Sequence, residues 1–298
     1  MSKSFTFALI GMPLSHSLSP RLHQAAFQYA QLTGIYLLCE IPSDLLIEEI
    51  ARLIAQGING FNVTIPHKQA LFTMVQSHTP QAQQVGAINA VKVEDTGELT
   101  GHNTDFPALK SVLEKNYLAS ASGKIALILG TGGGARAAAC AIKKLGFATC
   151  YVLARNPDKQ KSLIDFMQEQ ASKDPASSLS FKPIQILDIQ PQALPNFSLV
   201  INATSIGLTD ESPPIWMPNL IKQLPYDCFC YDLVYKKNKT LPLFAQLAHA
   251  QGLKSMDGLD MLIEQARLSF QFWTGFSVPF NYLKLALSGE ENRHQLHS

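Results

Sequence analysis

The 298-residue chain is poor in charge: Asp, Glu, Lys and Arg make up 16% of it, 24 basic against 23 acidic, for a net charge of +1. No basic block stands out, so the long-range field on which non-specific nucleic-acid binding depends is missing. Long apolar runs are lacking too. Phe5 to Ile10 breaks at Gly11-Met12-Pro13, too short for a signal peptide or membrane span. The expectation is a cytoplasmic protein that binds neither nucleic acid nor membrane. Cysteine is scarce and odd in number, with Cys39, Cys140, Cys150, Cys228 and Cys230 scattered along the chain and four of them in apolar runs. Cys228 and Cys230 alternate along a strand, but no second ligand pair follows at metal spacing and the eight histidines form no HExxH array. No metal is expected. What is present, 46% hydrophobic residues over a length suited to two domains at about 150 residues each, describes an ordinary globular protein.

The first third alternates strand-like and helix-like segments. Phe5 to Ile10 reads as a strand, Pro20 opens a helical period that stops at Gly34, and Ile35 to Ile41 is the next strand. Ser43 is placed to cap a helix ending at Gly57, and Ile58 to Ile65 reads as a third strand. A hairpin is expected from 87–93 through Asp95-Thr96-Gly97 to Leu99-Thr100, then a helix capped by Thr104 with Asp105 in its first turn. A second alternation begins at Lys124, with strands at 125–129, 150–154, 181–187, 199–202 and 229–234 and helices at about 157–171 and 241–250. Residues 173–180 read as an exposed loop. Two further helices, one capped by Asp257 and closed by Gly275 and one from Pro279 to Leu287, carry wide apolar faces that need a partner. Strands alternating with helices imply parallel sheets and an α/β fold.

Within the second alternation, strand 125–129 leads into Gly130-Thr131-Gly132-Gly133-Gly134-Ala135 and then a helix. This is the dinucleotide pattern in its required context. Gly130 makes the turn, Gly132 lets backbone approach a pyrophosphate, Ala135 allows close packing, and the helix N-terminus faces the phosphates. At the end of the following strand, where an acidic residue would bind a ribose 2′-hydroxyl, stands Arg155, whose planar fork suits a 2′-phosphate and hence NADP. Asp158, three residues on, keeps NAD open.

The first third also carries polar residues at strand ends. Gly11-Met12-Pro13-Leu14-Ser15-His16-Ser17-Leu18-Ser19-Pro20 places three serines before a helix, where hydroxyls and the macrodipole suit a carboxylate. Asn62 and Thr64 share one face of a strand by alternation, with Lys68 just beyond. Asn89 lies in an apolar strand, and Asn103-Thr104-Asp105 falls at a loop-to-helix junction. Buried polar groups are costly without partners, so a ligand is implied.

These motifs carry a resemblance. GMPLSHSLSP, GFNVTIPHK, GAINAV, GHNTD, LGTGGGARA, NATSIG, YDLVY and DGLDMLIEQA occur in the order and at the spacing of shikimate dehydrogenases, across nearly the whole chain. The resemblance implies an NADP-dependent enzyme of aromatic amino-acid biosynthesis that interconverts 3-dehydroshikimate and shikimate. Its fold would be an α/β substrate domain, 1–104 completed by the C-terminal helices at 258–298, and a Rossmann-type dinucleotide domain at 105–257. Ser17 and Ser19 would bind the substrate carboxylate; Asn62, Thr64, Asn89, Asp105 and Gln265 its hydroxyls, with Tyr235 nearby. Lys68 and Asp105 would be the catalytic pair. Gly130, Gly132, Gly133, Gly134, Ala135, Asn202, Thr204, Leu233 and Gly258 would contact the cofactor, and Arg155 its 2′-phosphate. The assembly expected is a monomer or homodimer.

The chain departs from the family pattern in having Ala154-Arg155-Asn156 for Asn-Arg-Thr, and Lys237 where a proline follows Tyr235. Three other readings compete: a quinate/shikimate dehydrogenase using NAD, against which Arg155 argues; a methylenetetrahydrofolate dehydrogenase, which would leave the serine loop and the Asn-Thr-Asp element unexplained; and a non-catalytic ligand sensor, which would have no need of both Lys68 and Asp105.

Overall fold

The structure is a computed structural model describing residues 4–117, 121–174, 177–189, 194–209 and 212–288. Its first elements are β1 (Ser4–Gly11), α1 (Ser19–Ala30), β2 (Thr33–Glu40), α2 (Leu46–Ala55), β3 (Gly60–Val63), β4 (Ser77–His78), α3 (Pro80–Val85), β5 (Ala90–Val93), β6 (Leu99–His102) and α4 (Asp105–Tyr117). There follow β7 (Ile125–Leu129), α5 (Gly133–Leu145), β8 (Thr149–Leu153), α6 (Pro157–Ser172), β9 (Ser180–Ile184), β10 (Phe197–Asn202), α7 (Trp216–Lys222), β11 (Phe229–Asp232), α8 (Leu243–Ala250), β12 (Lys254–Met256), α9 (Leu259–Thr274) and α10 (Phe280–Ser288). The chain divides into two compact units, Met1–Ala108 with Asp260–Ser298, and Leu109–Leu259. The α/β class read from the sequence is the one observed.

The first unit holds a six-stranded sheet in the order β2-β1-β3-β5-β6-β4. It is mixed rather than parallel, because the short connection between β5 and β6 forces an antiparallel pair and β5 also runs antiparallel to β3. One face buries Ala8, Ile10, Phe61 and Val63 against Ile50 and Leu53 of α2. The other is aromatic: Phe7 stacks on Trp273 of α9 at 4.3 Å and on Phe27 of α1 at 5.8 Å. The wide apolar face of α9 thus finds its partner on this sheet. The second unit holds a fully parallel sheet in the order β12-β11-β10-β7-β8-β9. The strand order reverses across that sheet at β7, which leaves a crevice beyond the ends of β7 and β10, where open sheets bind ligands.

Several local expectations are corrected. Helix α1 ends at Ala30, with Gln31 in the left-handed conformation (φ 54°), four residues before Gly34. Ser43 makes no capping bond; a single 3-10 turn precedes α2 instead. The third strand closes at Val63, leaving Thr64 beyond it, and the hairpin's first strand begins only at Ala90. The cap of α4 is Asn103, whose Oδ1 accepts the Phe106 amide at 3.0 Å, because the Thr104 hydroxyl is engaged inside the protein. The strand expected at 181–187 gives way after Ile184 to a 3-10 turn, and α8 starts at Leu243. Elements β4, α3, α7 and β12 were too short to carry a readable period. In the loop expected at 173–180, Leu179 is buried, while 175 and 176 lie outside the described residues. Cys140, Cys150, Cys228 and Cys230 are buried, the last two in the core of the second unit.

Gly60 shows how tightly α9 seats. A Cβ there would lie 2.6 Å from the Val91 carbonyl oxygen and 2.9 Å from the Trp273 indole nitrogen, which donates to that same carbonyl at 2.8 Å. Gly60→Ala is expected to destabilise the protein by about 1–3 kcal/mol, the usual range for overpacking, read as a lowered urea midpoint.

Candidate active site

In the first unit the chain brings together a polar cluster in an otherwise apolar interior. Asn89 precedes β5, Thr104 and Asp105 stand at the start of α4, and Gln265 and Ser269 lie one turn apart on α9. All are buried. Asn89 Nδ2 faces three acceptors, Thr104 Oγ1 at 2.8 Å, Asp105 Oδ1 at 2.9 Å and Gln265 Oε1 at 3.3 Å, while its Oδ1 accepts the Thr104 amide at 2.7 Å. With two hydrogens for three acceptors, the longest contact is the weakest. One carboxamide therefore fixes the entry to α4 and aims the Asp105 carboxylate.

The other oxygen of that carboxylate, Oδ2, accepts from Lys68 Nζ at 2.6 Å. Lys68 sits in the turn after β3 and keeps partial solvent access, with a side chain 18% exposed against 6% for Asp105. Its backbone is pinned: its carbonyl accepts the Ile88 amide at 2.9 Å, and the adjacent His67 ring, buried, bonds the Ile41 carbonyl oxygen at 2.7 Å. Thr64, at the end of β3, is half-buried and is held by its amide to the Ile10 carbonyl at 2.9 Å. Gly11 permits this approach, since a Cβ there would come within 2.3 Å of the Thr64 methyl. Ser17 and Ser19 lie where α1 begins, the Ser17 hydroxyl accepting the Ser19 amide at 3.2 Å. Ser17, Ser19, Asn62, Thr64, Lys68, Asn89, Asp105 and Gln265 all belong to the first unit; Tyr235 belongs to the second.

Asn62, on the face of β3 toward α9, is held by three protein groups. Its Oδ1 accepts from Tyr36 Oη at 2.8 Å, and its Nδ2 donates to the Asn89 carbonyl and to Ser269 Oγ, both at 2.9 Å. Ser269 Oγ also meets Thr104 Oγ1 at 3.2 Å. Tyr36 stacks on His23 at 4.2 Å, and complete burial lowers the His23 pKa to about 3, so that ring stays neutral. Tyr36 and Ser269 were missed by sequence reasoning. The available signal for Ser269 was a hydroxyl four residues after Gln265 on a helix face otherwise apolar.

In the second unit, β7 leads through Gly130 (φ 108°) into α5, whose first turn begins at Gly133. The amides of that turn have no intrahelical acceptor, and a Cβ at Gly132 would meet nothing within 4 Å, so backbone donors face open space suited to a diphosphate. Ala135 is fully buried, as close packing requires. Arg155 is exposed just past β8, and Asn156 caps α6 by accepting the Lys159 amide at 2.9 Å. Leu233 crowds Gly134, where a Cβ would lie 3.1 Å from its side chain, and Gly258, where a Cβ would lie 2.3 Å from its carbonyl oxygen. This donor set fits NADP. Asn202 is fully buried and its amide is saturated: Oδ1 accepts from Thr204 N at 3.2 Å and Thr204 Oγ1 at 2.6 Å, while Nδ2 donates to Asp232 Oδ1 at 2.9 Å and the Ile206 carbonyl at 3.3 Å. Among the described residues no group of three or more His, Cys, Asp or Glu could hold a metal, and no helix is long and apolar enough to cross a membrane.

Asp232 is the other residue that sequence reasoning passed over, a carboxylate at the end of an apolar strand. Burial pushes its pKa up to about 7, against the partial relief given by the Val234 amide, Asn202 and the Ala245 amide. The folded protein therefore binds more protons than the unfolded chain between about pH 4 and 7, and this group costs stability progressively as pH rises through that window. Asp232→Asn removes the titration. The stability difference between variant and parent should shift in favour of the variant from pH 5 to pH 7.5 in urea melts; a constant difference would contradict the assignment.

Known proteins resemble this chain over nearly its whole length. A profile of the shikimate dehydrogenase substrate binding domain matches residues 9–91, and one of the shikimate 5'-dehydrogenase C-terminal domain matches 258–284. A shikimate dehydrogenase (NADP(+)) of Citrifermentans bemidjiense is 37% identical over 287 residues, 96% of this chain and 95% of the relative; one from Magnetococcus marinus is 35% identical over 94% of each. The crystal structure of shikimate 5-dehydrogenase from Thermus thermophilus in complex with NADP(H) and shikimate superposes with a TM-score of 0.76 at 29% identity, covering 96% of this chain and 99% of that one.

Proposed function

The chain belongs to the shikimate dehydrogenase family, and from that premise we propose how its residues carry the reaction. The activity is NADP-dependent interconversion of 3-dehydroshikimate and shikimate, an oxidation and reduction at a CH–OH group in aromatic amino-acid biosynthesis. The observation that carries the mechanism is the Lys68–Asp105 pair at 2.6 Å, at the half-open edge of a buried polar cluster. We assign the substrate to residues of the first unit and the dinucleotide to residues of the second, Gly258 among them.

The Ser17 and Ser19 hydroxyls, beside the α1 N-terminus, receive the substrate carboxylate. Thr64, Asn89, Gln265 and the second lone pair of Asn62 Oδ1 meet its hydroxyls. When bound, NADPH would supply the hydride that reduces the ring ketone. Lys68 places its ammonium beside the ketone oxygen, where a cation stabilises negative charge as it develops, and passes a proton from Nζ to the alkoxide. Asp105 fixes the direction of Nζ, and because its own second oxygen is held by Asn89, that direction does not wander. On the cofactor side, the α5 amides hold the diphosphate and Arg155 the 2′-phosphate. The five free cysteines support a reducing, cytoplasmic setting. The assembly we favour is a monomer or a homodimer.

Formation of NADPH at 340 nm from shikimate and NADP is expected, and its absence would sink this reading. Lys68→Ala should lower kcat by roughly 10²–10⁴-fold; a loss of tenfold or less, with most of the effect in KM, would reduce Lys68 to a binding group. Arg155→Ala should lower the NADP-over-NAD ratio of kcat/KM by about tenfold or more, the worth of one hydrogen bond to a charged group. An unchanged ratio would remove Arg155 from the phosphate site.

A further inference from the structure

The ends of β10 and β11 are joined by a buried pair, Asp232 and Asn202; the family resemblance implies Asn202 as a cofactor contact, and here its side chain is fully engaged by protein groups. Asp232 and Asn202 are register partners on adjacent parallel strands, and both are completely buried. Asp232 Oδ1 accepts two donors, Asn202 Nδ2 at 2.9 Å and the Val234 amide at 3.0 Å, one from each strand end. Its other oxygen has no hydrogen bond of good geometry, only the Ala245 amide in the first turn of α8 directed toward it. Asn202 in turn folds the Thr204–Ile206 turn over itself. The backbones governed by this pair are the ones that wall the glycine loop. A Cβ at Gly130 would come within 2.9 Å of the Ala203 carbonyl oxygen, and Leu233, between Asp232 and Val234, fills the space above Gly134. As an acceptor, Asp232 Oδ1 thus ties the side chain of one strand end to the backbone of the other.

We propose that Asp232, acting through Asn202 and the Val234 amide, is a positioning residue for the dinucleotide: it sets the two strand ends against the glycine loop at the separation the cofactor needs. This rests on placing NADP at the second unit's crevice. It differs from a merely structural role in that removing the strut loosens the cofactor site selectively and leaves the substrate residues of the first unit alone.

The test measures Kd for NADPH by its fluorescence and Kd for shikimate by calorimetry, each on the full chain alone. Asp232→Ala should weaken NADPH at least tenfold and leave shikimate within twofold, and Asp232→Asn, which keeps an Oδ1 acceptor for both loop donors, should recover NADPH binding to within about threefold of the parent. Folded Asp232→Ala that binds NADPH within twofold of the parent overturns the inference, as does equal weakening of both ligands. If Asp232→Ala does not fold, Asn202→Ala removes the strut from its other side and is judged by the same two limits. A parent protein that fails to bind NADPH refutes the placement of the cofactor itself, an outcome distinct from a variant that binds normally.

Discussion

A carboxylate taken out of water depends on the donors that meet it, and two such groups organise this protein. Asp105 is met by an ammonium and a carboxamide, Asp232 by a carboxamide and backbone amides. The choice of partner decides what each can do. Lysine gives Asp105 a charge-assisted partner at 2.6 Å that keeps partial access to solvent. Neutral donors leave Asp232 poorly compensated, with its pKa pushed up to about 7, a group fit to hold loops in place. Strand ends supply both sites, because there the ladder of backbone bonds runs out and side chains take over.

Asn89 makes the first of these arrangements possible. Its amide reaches Thr104, Asp105 and Gln265, the last of them 176 residues away in sequence. The aromatic packing of Phe7, Phe27 and Trp273 brings α9 to the sheet, and the polar bonds then fix its register. Packing supplies proximity and hydrogen bonding supplies angle. Neither alone would hold a lysine and an aspartate at 2.6 Å.

The alternation of strands and helices, the glycine loop and most polar motifs were legible because each leaves a local mark: a period, a φ only glycine adopts freely, a hydroxyl before a helix. What was not legible depended on distance. Thr104 read as a cap from its neighbours, yet its hydroxyl is drawn inward by Asn89 and Ser269, and Asn103 caps in its place. Asn62 read as a ligand contact, and the structure adds that Tyr36 and Ser269 hold its amide, which no spacing could announce. Asp232 leaves a mark, a charge inside an apolar strand, but the Asn202 amide that meets it lies 30 residues away in sequence. The mixed first sheet was implicit in the expected hairpin, whose antiparallel pair outweighs the parallel pattern set by β1, β2 and β3.

Helix α9 meets the first sheet along one stripe, Gln265, Ser269 and Trp273, each bonded to a residue synthesised long before it. The second unit is a continuous stretch, 109–259, and can close on itself while the ribosome is still making that helix. The first unit has no such freedom. Until α9 is translated, Asn62 lacks its Ser269 partner, the Val91 carbonyl lacks its indole, and Phe7 lacks the Trp273 ring. Order of manufacture thus separates the two units: the continuous one can be ready early, and the one that holds Lys68 and Asp105 is completed only after α9 has been made, so a chain released before α9 carries the second sheet without the helix that braces Asn62 and Asn89.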